Sequence, residues 1–486
     1  MLDGFLDSVY YRIMSIKSFK GGVHPPEKKD VPASDAFVQV FPSTKTVWIP
    51  VSQSAVPNNP IVKVGDSVAR GQKIAESEHK MSVPVHSSVS GTVKKIENHL
   101  VLGNTEMPCI MIQIDEENRE EFLPPLDPFS CTKEEAIARI RDCGICGMGG
   151  AAFPTHIKLS PPPNTKIEYV LANGAECEPY LTTDAATMYH SADDIVDGLS
   201  IVMHILSASK GIIVLEDNKT DLVPFLEKAL AKLKDRPDTS GSFDISIQLC
   251  KTKYPQGGEK NLVEVATGRQ IPSRGLPFSI GCAIQNVGTL KAVSEAFRLG
   301  KPLIDRPFTV SGDACKKPFN GVAPIGTCVG DLIPEPIELD TGIIKIISGG
   351  PMMGMSMKNA DFPIQKNTSG ILFLTEKEAS LDQESPCIRC GRCIGVCSCR
   401  LTPVLMVGAL KAHNYDMAVR CGLLDCVECG TCSYICPARV QLVQWIKIGK
   451  RAVIAERKKQ KEKEEAKKRK EAKMQVATAE STEGAK

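Results

Sequence analysis

Cys387-Ile-Arg-Cys390-Gly-Arg-Cys393-Ile-Gly-Val-Cys397 and Cys426-Val-Glu-Cys429-Gly-Thr-Cys432-Ser-Tyr-Ile-Cys436-Pro437 are two copies of one pattern, C-x2-C-x2-C-x3-C. Two-residue gaps let a tight loop wrap one metal cubane, and Gly391 and Gly430 relieve the backbone inside that loop. The three-residue step then carries the chain onward to a neighbouring centre. Structural zinc sites use paired C-x2-C knuckles instead of four cysteines in one run, and a disulfide framework suits a small secreted chain. The spacing therefore points to two 4Fe–4S clusters and to one-electron transfer.

The same spacing resembles that of bacterial two-cluster ferredoxins, in which each run supplies three thiolates to one cluster and its last cysteine to the other. The resemblance implies one ligand set of Cys387, Cys390, Cys393 and Cys436, and a second of Cys426, Cys429, Cys432 and Cys397. The first run departs from the pattern at Ser398, where proline is expected. Cys399 lies close enough in sequence to compete with Cys397, and Cys421 is a further spare thiol.

The chain has 486 residues, enough for three or four domains, and its net charge of +2 implies no global field for nucleic acid. Nineteen cysteines is an odd count, and no leader with a basic start, apolar core and small-residue cleavage site is evident. Both favour a reducing cytosol in which thiolates stay free for iron. No run approaches the ~18 consecutive apolar residues of a membrane span, so any membrane role is peripheral.

Six segments follow from periodicity and composition. Residues 1–19 carry Leu2, Phe5, Leu6, Val9, Ile13 and Ile16 at helical spacing. This amphipathic segment suits a membrane surface, a partner, or its own domain. Residues 20–128 hold short β runs at 46–50, 61–66 and 90–93, broken by Pro and Gly. They resemble the two halves of a biotinyl or lipoyl barrel-sandwich. Lys80 falls near the carrier-lysine position, but His79 and Pro84 break that motif, so the module reads as structural. Residues 129–300 read as α/β. Thr132 and Glu135 form a capping box ahead of a helix over 134–141, and strands are expected at 168–172, 211–215 and 244–249. Residues 301–356 read as a small β-grasp-like module, 380–440 as the double-cluster domain, and 441–486 as a charged tail, helical or disordered.

Within the α/β region, the loop Gly144-Ile-Cys-Gly147-Met-Gly149-Gly150-Ala-Ala-Phe153 is followed by Lys158. Glycines let backbone N–H groups approach a phosphate, and a lysine neutralises it. The loop is neither a dinucleotide fingerprint nor a P-loop. Further polar segments are Asn173-Gly-Ala-Glu176-Cys-Glu178-Pro-Tyr180, Tyr254-Pro-Gln-Gly257-Gly258-Glu259-Lys260 and Gln285-Asn286-Val-Gly288.

Taken in order, these segments resemble the flavin-carrying, NADH-oxidising subunit of respiratory complex I. With Phe19-Lys-Gly-Gly-Val-His-Pro25, the run 348–354 and the double cysteine pattern, they resemble more closely the C subunits of Rnf-type ion-translocating ferredoxin:NAD+ oxidoreductases. The resemblance implies FMN held by Gly147, Gly149, Gly150 and Lys158, with Asn173, Glu176, Tyr254, Glu259 and Asn286 around it. It implies NAD(H) against Phe153 and Glu178. Met148, Ala152 and Gly258 depart from the complex I pattern. The implied protein is a peripheral electron-transfer subunit on the cytoplasmic face of a membrane complex, passing electrons between NAD(H), FMN, two clusters and ultimately ferredoxin. A soluble flavin/iron–sulfur reductase and a cluster scaffold without nucleotide binding share parts of the pattern.

Overall fold

A computed structural model describes residues 16–54, 56–238, 243–379 and 383–483, with side chains described as far as residue 465. Residues 1–15, which carry most of the expected amphipathic segment, lie outside the described residues. The chain forms two compact units, Met1–Leu381 and Asp382–Lys486.

The centre of the first unit is a four-stranded parallel sheet, ordered Asp244–Cys250, Lys210–Glu216, Tyr169–Gly174, Cys282–Asn286. Successive side chains of a strand face opposite ways, and both faces of this sheet are covered. Val170, Ala172, Ile213 and Leu215 face a core with Leu199, Val202, Leu290 and Val293, from the helices Ala192–Leu206 and Val287–Arg298. Leu171, Ile212 and Val214 face a second core with Leu262 and Val263 from the helix Glu259–Thr267, and with Phe19. Each fully buried Val, Leu or Ile contributes roughly 1.5–3 kcal/mol, which explains the apolar runs of the two central strands. The two large helices touch at Gly198, where a Cβ would come 2.0 Å from the Leu290 carbonyl oxygen.

Two further β bodies flank this sheet in sequence. An antiparallel pair of sheets, ordered Thr46–Pro50, Thr105–Ile114, Gly91–Val101, Ser67–Val68 and Asn59–Pro60, Lys73–Glu76, Val85–His86, closes over Val47, Ile49, Ile74, Val93, Ile110 and Ile112. The run at 61–66 is a turn, not a strand: the Lys63 amide donates to Asp66 Oδ2 at 2.8 Å and Gly65 has φ +97°. A mixed six-stranded sheet is ordered Val38–Gln39, Phe319–Pro324, Asp305–Ser311, Gly370–Thr375, Ile343–Ser348, Met355–Met357. It continues past residue 356, and its inner strand Gly370–Thr375 runs parallel to Asp305–Ser311.

Among its described residues the second unit is helical. Each cysteine run contains a four-residue helix, Arg392–Gly395 and Thr431–Tyr434, which carries the run's third cysteine. Pro403–Lys411, Tyr415–Arg420 and the long helix Leu442–Glu483 complete it. Met406, Val407, Leu410, Leu423 and Ile446 form its core. The charged tail is thus helical, with Lys458–Glu462 and Lys461–Glu465 pairs one turn apart, at 4.0 and 3.9 Å.

Candidate functional site

Ligands of open α/β sheets bind beyond the carboxyl ends of the strands. The expected flavin residues gather there. Asn173 is the penultimate residue of one strand and Asn286 the last of the neighbouring one. Tyr254 and Glu259 follow the strand Asp244–Cys250, and Glu176 and Glu178 follow Tyr169–Gly174. Asn173 Nδ2 donates to the Gly257 carbonyl at 2.9 Å, joining two of these loops. Asn286 caps its helix by accepting from the Gly288 amide at 2.9 Å, while its Nδ2 donates to Asp184 at 2.7 Å.

The glycine loop folds back on itself, with the Gly147 amide donating to the Phe153 carbonyl at 2.8 Å. Its backbone is fixed from both sides: the Met148 amide donates to Thr289 Oγ1 at 2.9 Å, and Arg306 donates to the Met148 carbonyl at 2.9 Å. Cβ atoms at Gly147 and Gly149 would meet no protein atom closer than 3.6 and 3.5 Å, and neither residue has a positive φ. Neither packing nor backbone strain asks for glycine at these two positions. Gly150 sits at φ +109° with nothing within 4 Å of its Cβ direction. Ala152, where glycine is usual in the related pattern, occupies the left-handed region at φ +48°. Phe153 is exposed on the loop. Lys158 Nζ lies 2.5 Å from Glu259 Oε1 and 3.4 Å from the Ile284 carbonyl. Two residues expected around one ligand thus pair with each other at the sheet's carboxyl edge. This cradle fits FMN: backbone without side chains, one lysine, and acidic and amide groups on the neighbouring loops.

Glu176 is buried and receives the amides of Asp184 and Ala185, at 2.9 and 3.3 Å, at the start of the helix Thr183–His190. Burial, then Glu176 beside it, pushes the Asp184 carboxyl up from its ordinary range. Glu178 accepts from the amides of Met352 and Met353, each at 3.0 Å, and from the Tyr254 hydroxyl at 3.4 Å. Burial pushes its carboxyl up to about 7 against these hydrogen bonds. A Cβ at Gly350 would come 2.2 Å from Glu178 Oε2, so the loop 349–353 closes directly over this acid.

Three cations missed by the sequence reading hold these loops, Arg306 and Lys366 buried and Lys29 half-buried. Lys29 donates to the Glu176 and Glu178 carbonyls at 2.8 and 3.1 Å, and to that of Leu181. Lys366 donates to the Gly144 carbonyl at 2.6 Å. Arg306 ties Met148 to the Thr368 carbonyl. Burial lowers the pKa of all three, that of Arg306 to about 10. The Asp184 charge opposes the shift of Arg306. No local motif marks them, because each acts on a loop far away in sequence.

In the second unit the two cysteine runs adopt the same backbone. Arg389 and Glu428 lie at φ +56° and +58°, Gly391 and Gly430 at +75° and +84°, and Arg400 and Arg439 at +58° and +54°. The amides of Arg389 and Glu428 donate to the sulfurs of Cys387 and Cys426, each at 3.4 Å. Each run's last cysteine stands within electrostatic range of the other run. Cys397 lies within charge range of Cys426, Cys429 and Cys432, and Cys436 within range of Cys393. Burial first, then these neighbouring sulfurs, pushes the Cys426 and Cys432 thiols up to about 12. Cys399 gives its backbone amide to the Cys397 sulfur. Such groups of crowded thiols, with amides aimed at sulfur, fit iron–sulfur ligation.

Comparison with known proteins supports the flavin-domain reading of the first unit. Residues 17–117 match the family described as the RnfC barrel sandwich hybrid domain, and residues 140–295 the Nuo51 FMN-binding domain. The chain is 42% identical to the C subunit of the proton-translocating ferredoxin:NAD(+) oxidoreductase complex of Clostridium ljungdahlii, over 89% of this chain and 93% of that one. It is 39% identical to the C subunit of the Na(+)-translocating ferredoxin:NAD(+) oxidoreductase complex of Acetobacterium woodii, over 92% and 100%. It is 36% identical to the C subunit of the ion-translocating oxidoreductase complex of Rhodobacter capsulatus, over 91% and 84%. The chain therefore belongs to the family of C subunits of Rnf-type ion-translocating ferredoxin:NAD(+) oxidoreductase complexes.

Proposed function

We propose that this protein exchanges electrons between NAD(H), one FMN and two 4Fe–4S clusters, at the cytoplasmic face of a membrane complex whose other members carry the ion path. No described helix is long and apolar enough to cross a membrane, which fits a peripheral place. FMN, when bound, takes up electrons in pairs from nicotinamide and releases them singly to clusters, so the protein supplies position and potential. The Gly147–Gly150 backbone and Lys158 hold its phosphate end, and Asn173, Glu176, Tyr254, Glu259 and Asn286 line its pocket. Phe153 and Glu178 hold the nicotinamide nucleotide, and admitting it requires the loop 349–353 to release or share Glu178. Cys387, Cys390, Cys393 and Cys436 hold one cluster, and Cys426, Cys429, Cys432 and Cys397 the other. Ferredoxin is the distant partner of this exchange.

The observation that carries the reading is the glycine loop beside Asn286 at the carboxyl end of a parallel sheet, tied at the Met148 carbonyl by Arg306, with Lys158 paired to Glu259 at the same edge. Composition tests it. Anaerobically reconstituted protein should hold one FMN and about eight iron per chain, and Cys390→Ala or Cys429→Ala should each remove about half the iron. Full iron retention in both variants would overturn the cluster assignment.

A further inference from the structure

A set of metal-ligand side chains lies apart from the flavin loops and the cysteine runs. His99 stands near the end of the strand Gly91–Val101, Cys328 precedes the short helix Val329–Leu332, and Asp361 lies in the loop leading to Pro363. One ligand atom from each lies within 4.8 Å of the other two, and His99 Nε2 is 3.7 Å from Asp361 Oδ1. Cys328 is buried and Asp361 exposed, so the group has a closed side and an open one.

Three observations point to a cation there. His99 Nδ1 lies 3.0 Å from the Leu100 carbonyl. That carbonyl accepts a hydrogen bond from the Nδ1–H, which leaves the Nε2 lone pair facing the other two donors, the arrangement of a metal-bound imidazole. The imidazole is stacked on Trp48 with centroids 4.3 Å apart, so its orientation is fixed. Asp331 stands within electrostatic range of all three donors and adds a second carboxylate to the cluster.

We propose that His99, Cys328 and Asp361 form a divalent-cation site that takes zinc, with the fourth position left to water. A thiolate, an imidazole and a carboxylate are together the ligand set of zinc, not of magnesium or calcium. Bond lengths of about 2.0–2.3 Å at tetrahedral angles require donor separations of about 3.3–3.8 Å. The donors here therefore close in by up to about an ångström when the ion binds. The site joins the barrel-sandwich strand carrying His99 to the loops of the six-stranded sheet, beside Asn104, which bonds both the Ser356 carbonyl and the Lys358 amide at 2.9 Å. Its role is a clamp between two β bodies.

The test uses the full chain with its iron in place, equilibrated with buffered micromolar zinc and measured by elemental mass spectrometry. Wild type should bind about one zinc per chain beyond its iron. Asp361→Asn, at an exposed position that leaves the fold intact, should weaken zinc about tenfold or more. Cys328→Ser should abolish it, with iron unchanged. Zinc should also raise the unfolding temperature of wild type and not of His99→Ala. Equal zinc retention in Asp361→Asn and wild type, or zinc that appears only as iron is lost, would overturn the proposal. The second result would place the zinc on the cysteine runs.

Discussion

Replacing Gly149 with alanine should separate the needs of the fold from those of the flavin. The new Cβ would come closest to Asn286, 3.5 Å from its Cβ, an ordinary contact, and the backbone has no positive φ to strain. Losing glycine's unfolded-state entropy should leave stability unchanged or raise it by about 0.4–1 kcal/mol. The flavin should respond in the opposite sense. A methyl group in front of the loop pushes a phosphate away from the backbone amides. Two charge-assisted hydrogen bonds at about 1.5–3 kcal/mol each amount to a loss of about 3–6 kcal/mol. That is roughly 10²–10⁴-fold in Kd. Gly144→Ala is the contrasting control. There a Cβ would come 2.6 Å from the Pro84 carbonyl and 2.7 Å from Lys366 Nζ, at φ +64°, so the fold itself should suffer. Flavin fluorescence titration gives the affinity, and thermal unfolding of the flavin-free protein gives the stability. A Gly149→Ala protein that binds FMN within about threefold of wild type would refute the reasoning.

Glu178→Gln should retain FMN and iron, yet be reduced slowly by NADH while dithionite still reduces its clusters; unchanged flavin bleaching by NADH would remove Glu178 from the nucleotide site. Because the folded Glu178 carboxyl is raised to about 7, the folded chain keeps a proton there that the unfolded chain releases near pH 4.5. This stabilisation is complete below pH 4.5 and is lost as pH rises through about 7, so the wild-type stability profile should lose that slope in Glu178→Gln. Arg306→Met leaves Asp184 and the Met148 carbonyl without their buried cation and should cost about 3–5 kcal/mol. It should also weaken FMN with iron content intact, and tight FMN binding in this variant would show that the loop does not need its support from behind. Cys397→Ser should lose more iron than Cys399→Ser, since Cys399 contributes its amide to the Cys397 sulfur; the reverse order, read by iron analysis, would make Cys399 the ligand.

Much of this was legible wherever one local pattern dominated. Three of the four parallel strands stand out as apolar runs, and the Thr132–Glu135 capping box forms at the helix Lys133–Asp142 as its spacing implies. The fourth strand, Cys282–Asn286, was missed because its five residues run directly into a helix capped by Asn286, and the segment reads as a polar loop. At 61–66 the alternation suggested a strand, but the Gly65–Asp66 turn chemistry prevailed. Gly370–Thr375 lies far in sequence from the strands that it joins, so only the tertiary fold places it inside the sheet. The candidate site divides the same way. Glycine and cysteine spacing is local and readable. Lys29, Arg306 and Lys366 serve loops as many as 282 residues away and look like ordinary surface cations until Arg306 and Lys366 are found buried and Lys29 half-buried. The pinning of Glu178 by Met352 and Met353 also depends on a distant loop, though the glycines of 348–354 hinted that the segment mattered.

The central claim is that electrons cross from nicotinamide through flavin to clusters within this one chain. Anaerobic stopped-flow mixing of the reconstituted protein with NADH, followed at flavin and cluster wavelengths with parallel freeze-quench EPR, tests it most directly. Flavin bleaching should come first, then loss of cluster absorbance with reduced-cluster EPR signals. In Cys390→Ala combined with Cys429→Ala, the bleaching should survive and the onward step should be absent. Clusters that reduce at the same rate in protein stripped of FMN, or a flavin that NADH never bleaches, would contradict it.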